Sequence, residues 1–217
     1  MVAGWGVDVS LLIHEIFTLG PVMPVIEIDD AEMALPLAEA LSDGGIHVLE
    51  ITLRTPAALK AIETVAKLPG VYVGAGTILS PKDMQLAKNA GAAFGVSPGY
   101  TIEMIEASIE MDFPFLPGAV TPSEMISLLN MGFKTQKLFP AEVVGGCRLL
   151  KAVSGPLANV KFCPTGGVSP ENAPDYLQLA NVVCVGGSWV ASRQLIKDQA
   201  WDVIKANAEV ASRLSAD

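Results

Sequence analysis

Short hydrophobic runs alternate with longer segments of helical spacing along nearly the whole chain. The runs are rich in Val, Ile and Ala, and they show little alternation of apolar with polar residues, which is typical of parallel strands covered by helices. A Gly, Pro or polar break follows each run. Eight runs are predicted to be strands, at residues 22–26, 46–51, 71–74, 93–96, 115–116, 134–139, 160–163 and 182–185.

Capping signals mark the starts of several predicted helices. Residues 29–30 offer an N-cap for a helix that extends to about Leu41 and ends at Gly44 and Gly45. Pro36 predicts a kink within this helix, because proline lacks the N–H that a helix interior needs. The other predicted helices lie at residues 56–67, after Ser80–Pro81, at 101–109, 121–131 and 146–153, and after Ser169–Pro170.

Strands that alternate with helices indicate a parallel α/β protein. An open doubly wound sheet and a closed (β/α)8 TIM barrel both fit this pattern, and the count of eight strands favours the barrel. The chain contains no linker, low-complexity segment or charge block, so we expect one domain over residues 1–217. Residues 1–18 are expected to form an N-terminal extension or helix, and residues 190–217 closing helices.

Composition and net charge exclude some classes of function. Hydrophobic residues make up 51% of the 217 positions, which predicts a large core. The net charge of −9 argues against a nucleic-acid surface but not against a phosphate-bearing ligand, since backbone amides bind anions. No apolar stretch is long enough for a membrane span and no basic secretory segment begins the chain, so we expect a cytoplasmic protein. The three cysteines have no metal-ligand spacing, no His/Cys/Asp cluster indicates a metal, and buried free thiols are expected at Cys163 and Cys184.

Lys137 is the most informative candidate for catalysis. In a barrel, catalytic groups lie at the carboxyl ends of strands. Lys137 lies near the end of the sixth predicted strand, whereas Lys134 and Lys161 begin strands and Lys151 lies in a helix. Burial of an ammonium is costly, and a neutral amine is a nucleophile toward carbonyls, so this position suggests imine chemistry. The alternative is a lysine whose charged end reaches solvent and has no chemical role.

Glu50, Thr52 and Arg54 follow the second strand at a spacing of two residues. In an extended chain this spacing directs all three side chains to one face, which would bring a carboxylate, a hydroxyl and a guanidinium to the barrel mouth. An internal Glu–Arg ion pair that only fixes the loop is the alternative.

Glycine-containing segments follow four further strands. Thr77 ends the segment Gly74-Ala75-Gly76-Thr77, where it either donates to a substrate carboxylate or caps a turn. Pro98 either forms a rigid apolar wall or belongs to an ordinary turn. Paired glycines in the loops after the last two strands, at 164–167 and 186–188, favour a phosphate site, because barrels often bind phosphate with backbone amides at these loops.

Seven segments in order along the chain, among them Leu49-Glu50-Ile51-Thr52-Leu53-Arg54-Thr55 and Lys137-Leu138-Phe139-Pro140-Ala141-Glu142, have a familiar pattern; the others lie at 20–26, 73–77, 97–99, 162–167 and 186–189. They closely resemble the 2-keto-3-deoxy-6-phosphogluconate (KDPG) aldolase family, whose members also act as 4-hydroxy-2-oxoglutarate (KHG) aldolases. The resemblance implies a (β/α)8 barrel, usually a homotrimer, that performs class I aldolase chemistry without a metal or other cofactor in the Entner–Doudoroff pathway.

The resemblance also implies a role for each matching residue. Lys137 is expected to form the Schiff base, Glu50 to act as general acid and base, and Arg54 and Thr77 to hold the carboxylate of the pyruvyl portion. The remaining expected contacts are Pro98 and Phe139 as walls of the site, Thr165 on the pyruvyl portion or a hydroxyl, and Gly166, Gly167, Gly187 and Ser188 on the phosphate.

The expected reaction is cleavage of KDPG to pyruvate and glyceraldehyde 3-phosphate, and of KHG to pyruvate and glyoxylate. Alternatives are an aldolase for the galactonate epimer, a phosphosugar isomerase in which Glu50 is the base and no covalent step occurs, and a phosphosugar-binding barrel without catalysis. Residues 118–122 depart from the usual Gly-Ile/Val-x-Thr-x form of the family, and this difference bears on substrate preference.

Overall fold

The computed structural model describes residues 9–214 of the chain, with side chains from residue 13 onward, and has an α/β fold. Its strands are β1 (Val22–Ile26), β2 (Val48–Thr52), β3 (Tyr72–Gly76), β4 (Phe94–Val96), β5 (Phe115–Leu116), β6 (Gly118–Ala119), β7 (Thr135–Leu138), β8 (Lys161–Pro164) and β9 (Val185–Gly187). Six form a parallel sheet in the order β5-β4-β3-β2-β1-β9, and three form a second parallel sheet in the order β6-β7-β8.

The helices alternate with these strands as the sequence predicts. They are α1 (Val9–Phe17), α2 (Ala34–Asp43), α3 (Ala58–Val65), α4 (Pro81–Asn89), α5 (Ile102–Glu110), α6 (Pro122–Asn130), α7 (Gly146–Ser154), α8 (Ala173–Leu177), α9 (Arg193–Lys197) and α10 (Trp201–Ser212). The predicted N-terminal helix is therefore α1, and the closing helices are α9 and α10. Residues 1–8 and 215–217 of these predicted segments lie outside the described residues.

The kink predicted at Pro36 is wrong. A 3₁₀ helix at Ala31–Met33, capped by the Asp30 side chain, precedes α2, which begins at Ala34. Pro36 therefore lies in the first turn of α2, where a backbone N–H has no partner within the helix, so its absence costs little. The change from 3₁₀ to α geometry takes the place of the expected kink.

The fifth predicted strand is interrupted at Pro117. Phe115–Leu116 pairs with β4, but the chain beyond Pro117 pairs with β7. Proline cannot donate a hydrogen bond to a strand ladder, whereas its carbonyl can accept, and that of Pro117 accepts from the Lys137 amide at 2.9 Å. The last strand also differs from the prediction, because the ladder with β1 begins only at Val185.

Hydrophobic side chains form two clusters. The larger one lies between the sheets and their helices. The smaller one brings together residues of both sheets with α1, including Met23, Phe94 and Cys163. Phe17 of α1 packs edge to face on Phe94, the first residue of β4, with ring centroids 5.3 Å apart. Helix α1 thus covers the amino ends of the strands, and the carboxyl ends stay available for a site.

Helices in the described part of the chain do not combine the length and hydrophobicity that a bilayer span requires. Cys163 and Cys184 are buried free thiols, as predicted, with sulfur atoms 3.5 Å apart. The contact with Cys163, together with burial, raises the pKa of the Cys184 thiol well above its ordinary value.

Candidate active site

Lys137 on β7 and Glu50 on β2 form a buried ion pair. Their side chains are 6% and 1% exposed, and Lys137 Nζ lies 3.6 Å from Glu50 Oε1. This separation is longer than a hydrogen bond, so the attraction is that of two charges in a site with little water. Since β2 and β7 belong to different sheets, the pair spans the space between the two sheets.

The backbone around the pair leaves room for both side chains. A Cβ atom on Gly76 of β3 would lie 1.9 Å from Glu50 Oε1, so the carboxylate occupies space that only glycine leaves free. The Phe139 ring, just after β7, has its centroid 5.4 Å from Lys137 Nζ, a distance at which an ammonium is attracted to an aromatic face.

One oxygen of Glu50 is free for a ligand. Glu50 Oε2 is buried and has no hydrogen-bond partner among the described residues. Buried polar atoms in proteins are normally paired, so an orphan oxygen beside a buried amine indicates a place for a polar group of a substrate.

The competing lysines do not share this environment. Lys134 and Lys151 are exposed, and Lys161 donates to the Ala180 carbonyl at 2.7 Å. Lys137 alone among these four lysines is buried.

Arg54 does not pair with Glu50, which removes the alternative of an internal Glu50–Arg54 ion pair. Arg54 Nη1 lies 3.3 Å from Glu27 Oε2, and Arg54 Nε donates to Thr52 Oγ1 at 3.3 Å. The Thr52 hydroxyl itself donates to the Ile26 carbonyl at 2.9 Å. Thr52 therefore links β2 to β1 and orients Arg54, whose side chain stays 51% exposed.

Sequence reasoning missed the group that holds Glu27. Arg193, at the start of α9, pairs with Glu27 and with both oxygens of Asp29, at 2.7 Å from Nε and 2.6 Å from Nη2. The hydrogen bonds from Arg193 hold the pKa of Asp29 below its ordinary value. Glu27 directly follows β1, so the rule that sites lie at strand ends would have found it. Arg193 has no such local signal.

Thr77 lies directly after β3 in a left-handed conformation, with φ of +60°. This conformation is costly for a β-branched residue, and such outliers concentrate at functional sites. It is therefore an independent reason to consider Thr77 a site residue.

Pro98 lies beside the segment that departs from the family pattern. A cavity of about 410 Å³ is lined by Pro98, Gly118, Ala119 and Val120, among other residues. Gly118 is the register partner of Lys137 in the β6–β7 ladder. The departing segment thus borders a cavity next to the catalytic candidate.

Thr165 is buried where β8 meets β9. A bridge joins it to Gly186, and a Cβ atom at Gly186 would lie 2.3 Å from Thr165 Oγ1. The bridge brings together the two glycine-containing loops that the sequence predicts for phosphate. Ser188, just after β9, is exposed to solvent.

Three carbonyl groups of the loop after β8 accept hydrogen bonds from neighbouring segments. The carbonyls of Thr165 and Gly166 accept from the amides of Ala141 and Glu142 at 2.8 and 3.1 Å. The Gly167 carbonyl accepts from Asn172 Nδ2 at 3.1 Å. In a trans peptide the next N–H points the opposite way, so the amides that follow point away from these partners. Gly166 and Gly167 have φ of +97° and +78°, a region that favours glycine.

No group of three or more acidic, His or Cys side chains suited to a metal occurs among residues whose side chains are described.

Comparison with known proteins identifies the family. The family model "Aldolase: KDPG and KHG aldolase" matches residues 13–207. The chain belongs to the KDPG and KHG aldolase family. The match includes every candidate site residue from Glu50 to Ser188.

Characterised members of the KDPG and KHG aldolase family are close in sequence and structure. The KHG/KDPG aldolase of Escherichia coli K12 is 45% identical over 192 residues, which cover 88% of this chain and 90% of that protein. A KDPG aldolase of Legionella pneumophila, with pyruvate captured as a covalent carbinolamine, is 46% identical with a TM-score of 0.90, covering 92% of this chain and 98% of that one. A KDPG aldolase of Zymomonas mobilis with 3-phosphoglycerate is 42% identical with a TM-score of 0.87, covering 94% and 96%.

Proposed function

We propose that this protein is a class I aldolase, a lyase, that cleaves KDPG to pyruvate and glyceraldehyde 3-phosphate, and KHG to pyruvate and glyoxylate. The observation that carries the proposal is the buried Lys137 amine 3.6 Å from Glu50. The L. pneumophila relative, which holds pyruvate as a covalent carbinolamine, gives a precedent for covalent chemistry in this family.

Glu50 first takes a proton from the Lys137 ammonium, and the amine attacks the C2 ketone to give a carbinolamine. Glu50 returns this proton to the carbinolamine hydroxyl, which leaves as water, so a protonated imine forms and Glu50 is again a carboxylate. The imine accepts the electron pair of the C3–C4 bond when that bond breaks. Glu50 takes the proton of the C4 hydroxyl, and its buried, unpaired Oε2 is the acceptor for this proton. The C4 fragment leaves as the aldehyde, and an enamine remains on Lys137.

Glu50 then returns its proton to C3 of the enamine, and water releases pyruvate from Lys137. Glu50 is therefore a carboxylate at the start and at the end of each turnover, and the protons balance.

The substrate carboxylate binds Arg54 and Thr77. A planar guanidinium suits a carboxylate because two N–H groups can donate in parallel. Thr52 and Glu27 hold Arg54 by Nε and Nη1, which leaves Nη2 and part of the exposed fork for the substrate.

The rest of the substrate contacts residues in the loops that follow the strands. Pro98 and Phe139 form apolar walls, and Thr165 contacts the pyruvyl portion or a hydroxyl. The phosphate of KDPG binds the amides of the loops after β8 and β9, with contacts from Gly166, Gly167, Gly187 and Ser188. KHG lacks this phosphate and uses only the Lys137 end of the site.

We also propose that the two sheets form one closed (β/α)8 barrel, a single domain over residues 1–217. Single bridges Phe162–Val182 and Thr165–Gly186 join β8 to the β9 segment, and β5 and β6 count as one strand interrupted at Pro117. The smaller core cluster, with side chains from both sheets, supports a common interior.

A homotrimer in the cytoplasm is proposed from the family resemblance. The exposed apolar side chains of Leu79 and Ile102, at the amino ends of α4 and α5, offer a surface for subunit contact. Sedimentation velocity tests the trimer, and a monomer at micromolar concentration would contradict it.

Borohydride reduction in the presence of pyruvate tests the mechanism. We expect a stable adduct on Lys137, located by peptide mass. Active protein with an unmodified Lys137 would refute the imine step, and turnover by Lys137→Arg would favour a non-covalent isomerase. Pyruvate release coupled to lactate dehydrogenase, with KDPG, its galactonate epimer and KHG, then ranks the substrates; binding without release would indicate a non-catalytic barrel.

A further inference from the structure

Glu142 and Tyr176 form a pair that the reaction does not use. Glu142 lies in the loop between β7 and α7, and Tyr176 lies on α8 with a fully buried side chain. The Tyr176 hydroxyl donates to Glu142 Oε1. Burial and the neighbouring carboxylate raise the pKa of Tyr176 far above its ordinary value, so the phenol keeps its proton and stays a donor.

Two glycines enclose this pair. A Cβ atom at Gly146 would lie 2.5 Å from the Tyr176 hydroxyl and 2.9 Å from Glu142 Oε1. A Cβ atom at Gly167 would lie 2.7 Å from both Cβ and Cγ of Glu142. The Glu142 side chain therefore fills the gap between the start of α7 and the loop at Gly166–Gly167.

Glu142 contacts this loop through its backbone as well. Its amide donates to the Gly166 carbonyl at 3.1 Å, which fixes one peptide plane of the loop. The direction of the following amide, that of Gly167, depends on this plane. A shift of Glu142 therefore changes where the loop amides point.

The charge of Glu142 makes its position important. A carboxylate close to a phosphate site repels the phosphate unless it is held away and hydrogen-bonded. The buried Tyr176 hydroxyl supplies that restraint, because it ties one oxygen of Glu142 toward α8.

We propose that Tyr176 and Glu142 are positioning residues that set the preference of this enzyme for phosphorylated over unphosphorylated keto acids. The inference rests on the proposed function. Neither side chain touches the reacting atoms, so the pair affects binding of the phosphate and leaves the chemistry at Lys137 unchanged.

Steady-state kinetics of Tyr176→Phe with KDPG and KHG tests this proposal. We expect KM for KDPG to rise about tenfold, which corresponds to about 1.4 kcal/mol, while kcat and the KHG constants change less than twofold. Glu142→Ala removes the repelling charge itself, so it should not raise KM for KDPG, and the double variant Tyr176→Phe/Glu142→Ala should restore a KM near the wild-type value. Glu142→Gln keeps an oxygen that accepts from Tyr176 and should keep KM for KDPG near the wild-type value. Tyr72→Phe, at the opposite end of β3 from the site, is the matched control.

Inorganic phosphate gives a second measurement that does not depend on KDPG turnover. Its dissociation constant, measured by titration calorimetry, should rise in Tyr176→Phe by the same factor as KM for KDPG. The yield of borohydride-trapped pyruvate adduct shows that the variant is folded and should equal that of the wild type.

The outcomes separate the two proposals. Wild-type enzyme without KDPG cleavage overturns the proposed function and this inference together. An active wild type whose Tyr176→Phe variant keeps its KDPG-to-KHG ratio overturns the inference alone, as does an equal loss with both substrates.

Discussion

Lys137 and Glu50 stabilise each other in a place where neither charge is tolerated alone. Both side chains are almost completely buried, so each has lost most of its hydration. Removal of one partner from such a pair typically costs about 3–5 kcal/mol, because an uncompensated charge stays buried. The proposed catalytic pair therefore also affects the stability of the fold.

Lys137→Met should abolish pyruvate release and lower the free energy of unfolding by about 3–5 kcal/mol. The double variant Lys137→Met/Glu50→Gln should regain most of that stability but no activity, because the lone buried carboxylate is gone. Urea denaturation and the coupled assay measure the two effects. A double variant as unstable as the single one would show that the buried charge is not the cause.

Thr77→Gly separates strain from binding at one residue. Glycine adopts φ of +60° freely, and relief of about 1–3 kcal/mol of strain offsets its greater flexibility in the unfolded chain. We expect the free energy of unfolding to stay level or rise, while kcat/KM falls about tenfold through loss of a hydrogen bond to the substrate carboxylate.

Gln199→Gly is the matched control for Thr77→Gly, since Gln199 has φ of +52° and lies on the surface between α9 and α10. It should share the effect on stability without any change in activity. Marked destabilisation of Thr77→Gly alone would mean that its side chain has a structural role.

Local sequence signals predicted Lys137 and Glu50 but not the residues that surround them. In the predicted strands 46–51 and 134–139 both lie near the carboxyl end, where the barrel rule directs attention. In the structure Lys137 is next to the last residue of β7, whereas Glu50 is the central residue of β2. Glu27 and Arg193 meet across 166 positions, and Glu142 and Tyr176 across 34. A charge with a distant partner looks in sequence like any surface charge, so only the fold reveals these pairs.

At the scale of the elements, helix α6 begins with a complete capping box. The Thr121 hydroxyl accepts from the Glu124 amide at 3.3 Å, and Glu124 Oε2 accepts from the amides of Thr121 and Val120 at 2.8 and 2.9 Å. This capping box also fixes the segment that departs from the family pattern, since Val120 and Glu124 border the same cavity.

Thr121→Ala should lower the free energy of unfolding by about 1 kcal/mol, the usual cost of losing an N-cap.

The backbone amides hold the pKa of Glu124 below its ordinary value. Its contribution to stability is therefore fully present above the unfolded carboxyl pKa of about 4.3 and is lost as the pH falls through the lower folded value.

The difference in stability between wild type and Glu124→Gln should accordingly shrink on acidification below about pH 4. Thermal denaturation at a series of pH values measures it. Glu106→Gln on α5 controls for the loss of an exposed helical carboxylate. A difference that grows at low pH would contradict the assigned direction.

Element order was predictable, whereas element ends were not. Period and capping signals gave the alternation of strands and helices, including the start of α4 at Pro81. The break at Pro117 depends on which strand pairs on each side, which is information that a single run of residues does not carry. Helix α8 has five residues where Ser169–Pro170 suggested an earlier start, because Asn172 accepts from the Ser169 amide and holds a turn there.

At the scale of the whole molecule, a chain of charges joins the last helices to the first strands. It runs from Asp29 through Arg193 and Glu27 to Arg54, the proposed carboxylate ligand. Arg193 thereby connects α9 to the loop after β1, beside the β1–β9 ladder. All members are partly exposed, so the chain contributes little to stability, and its main effect is on the position of Arg54.

Arg193→Ala should lower the free energy of unfolding by less than about 1 kcal/mol but raise KM for KDPG several-fold. Without Arg193, both oxygens of Glu27 are free to bind Arg54 and compete with the substrate carboxylate for it. Glu27→Gln removes that competitor, so the double variant Arg193→Ala/Glu27→Gln should recover a KM close to that of Glu27→Gln. The rise in KM caused by Arg193→Ala should be smaller at high salt, which screens exposed charges. Equal KM values for wild type and Arg193→Ala at low salt would show that Arg54 is positioned by Thr52 alone.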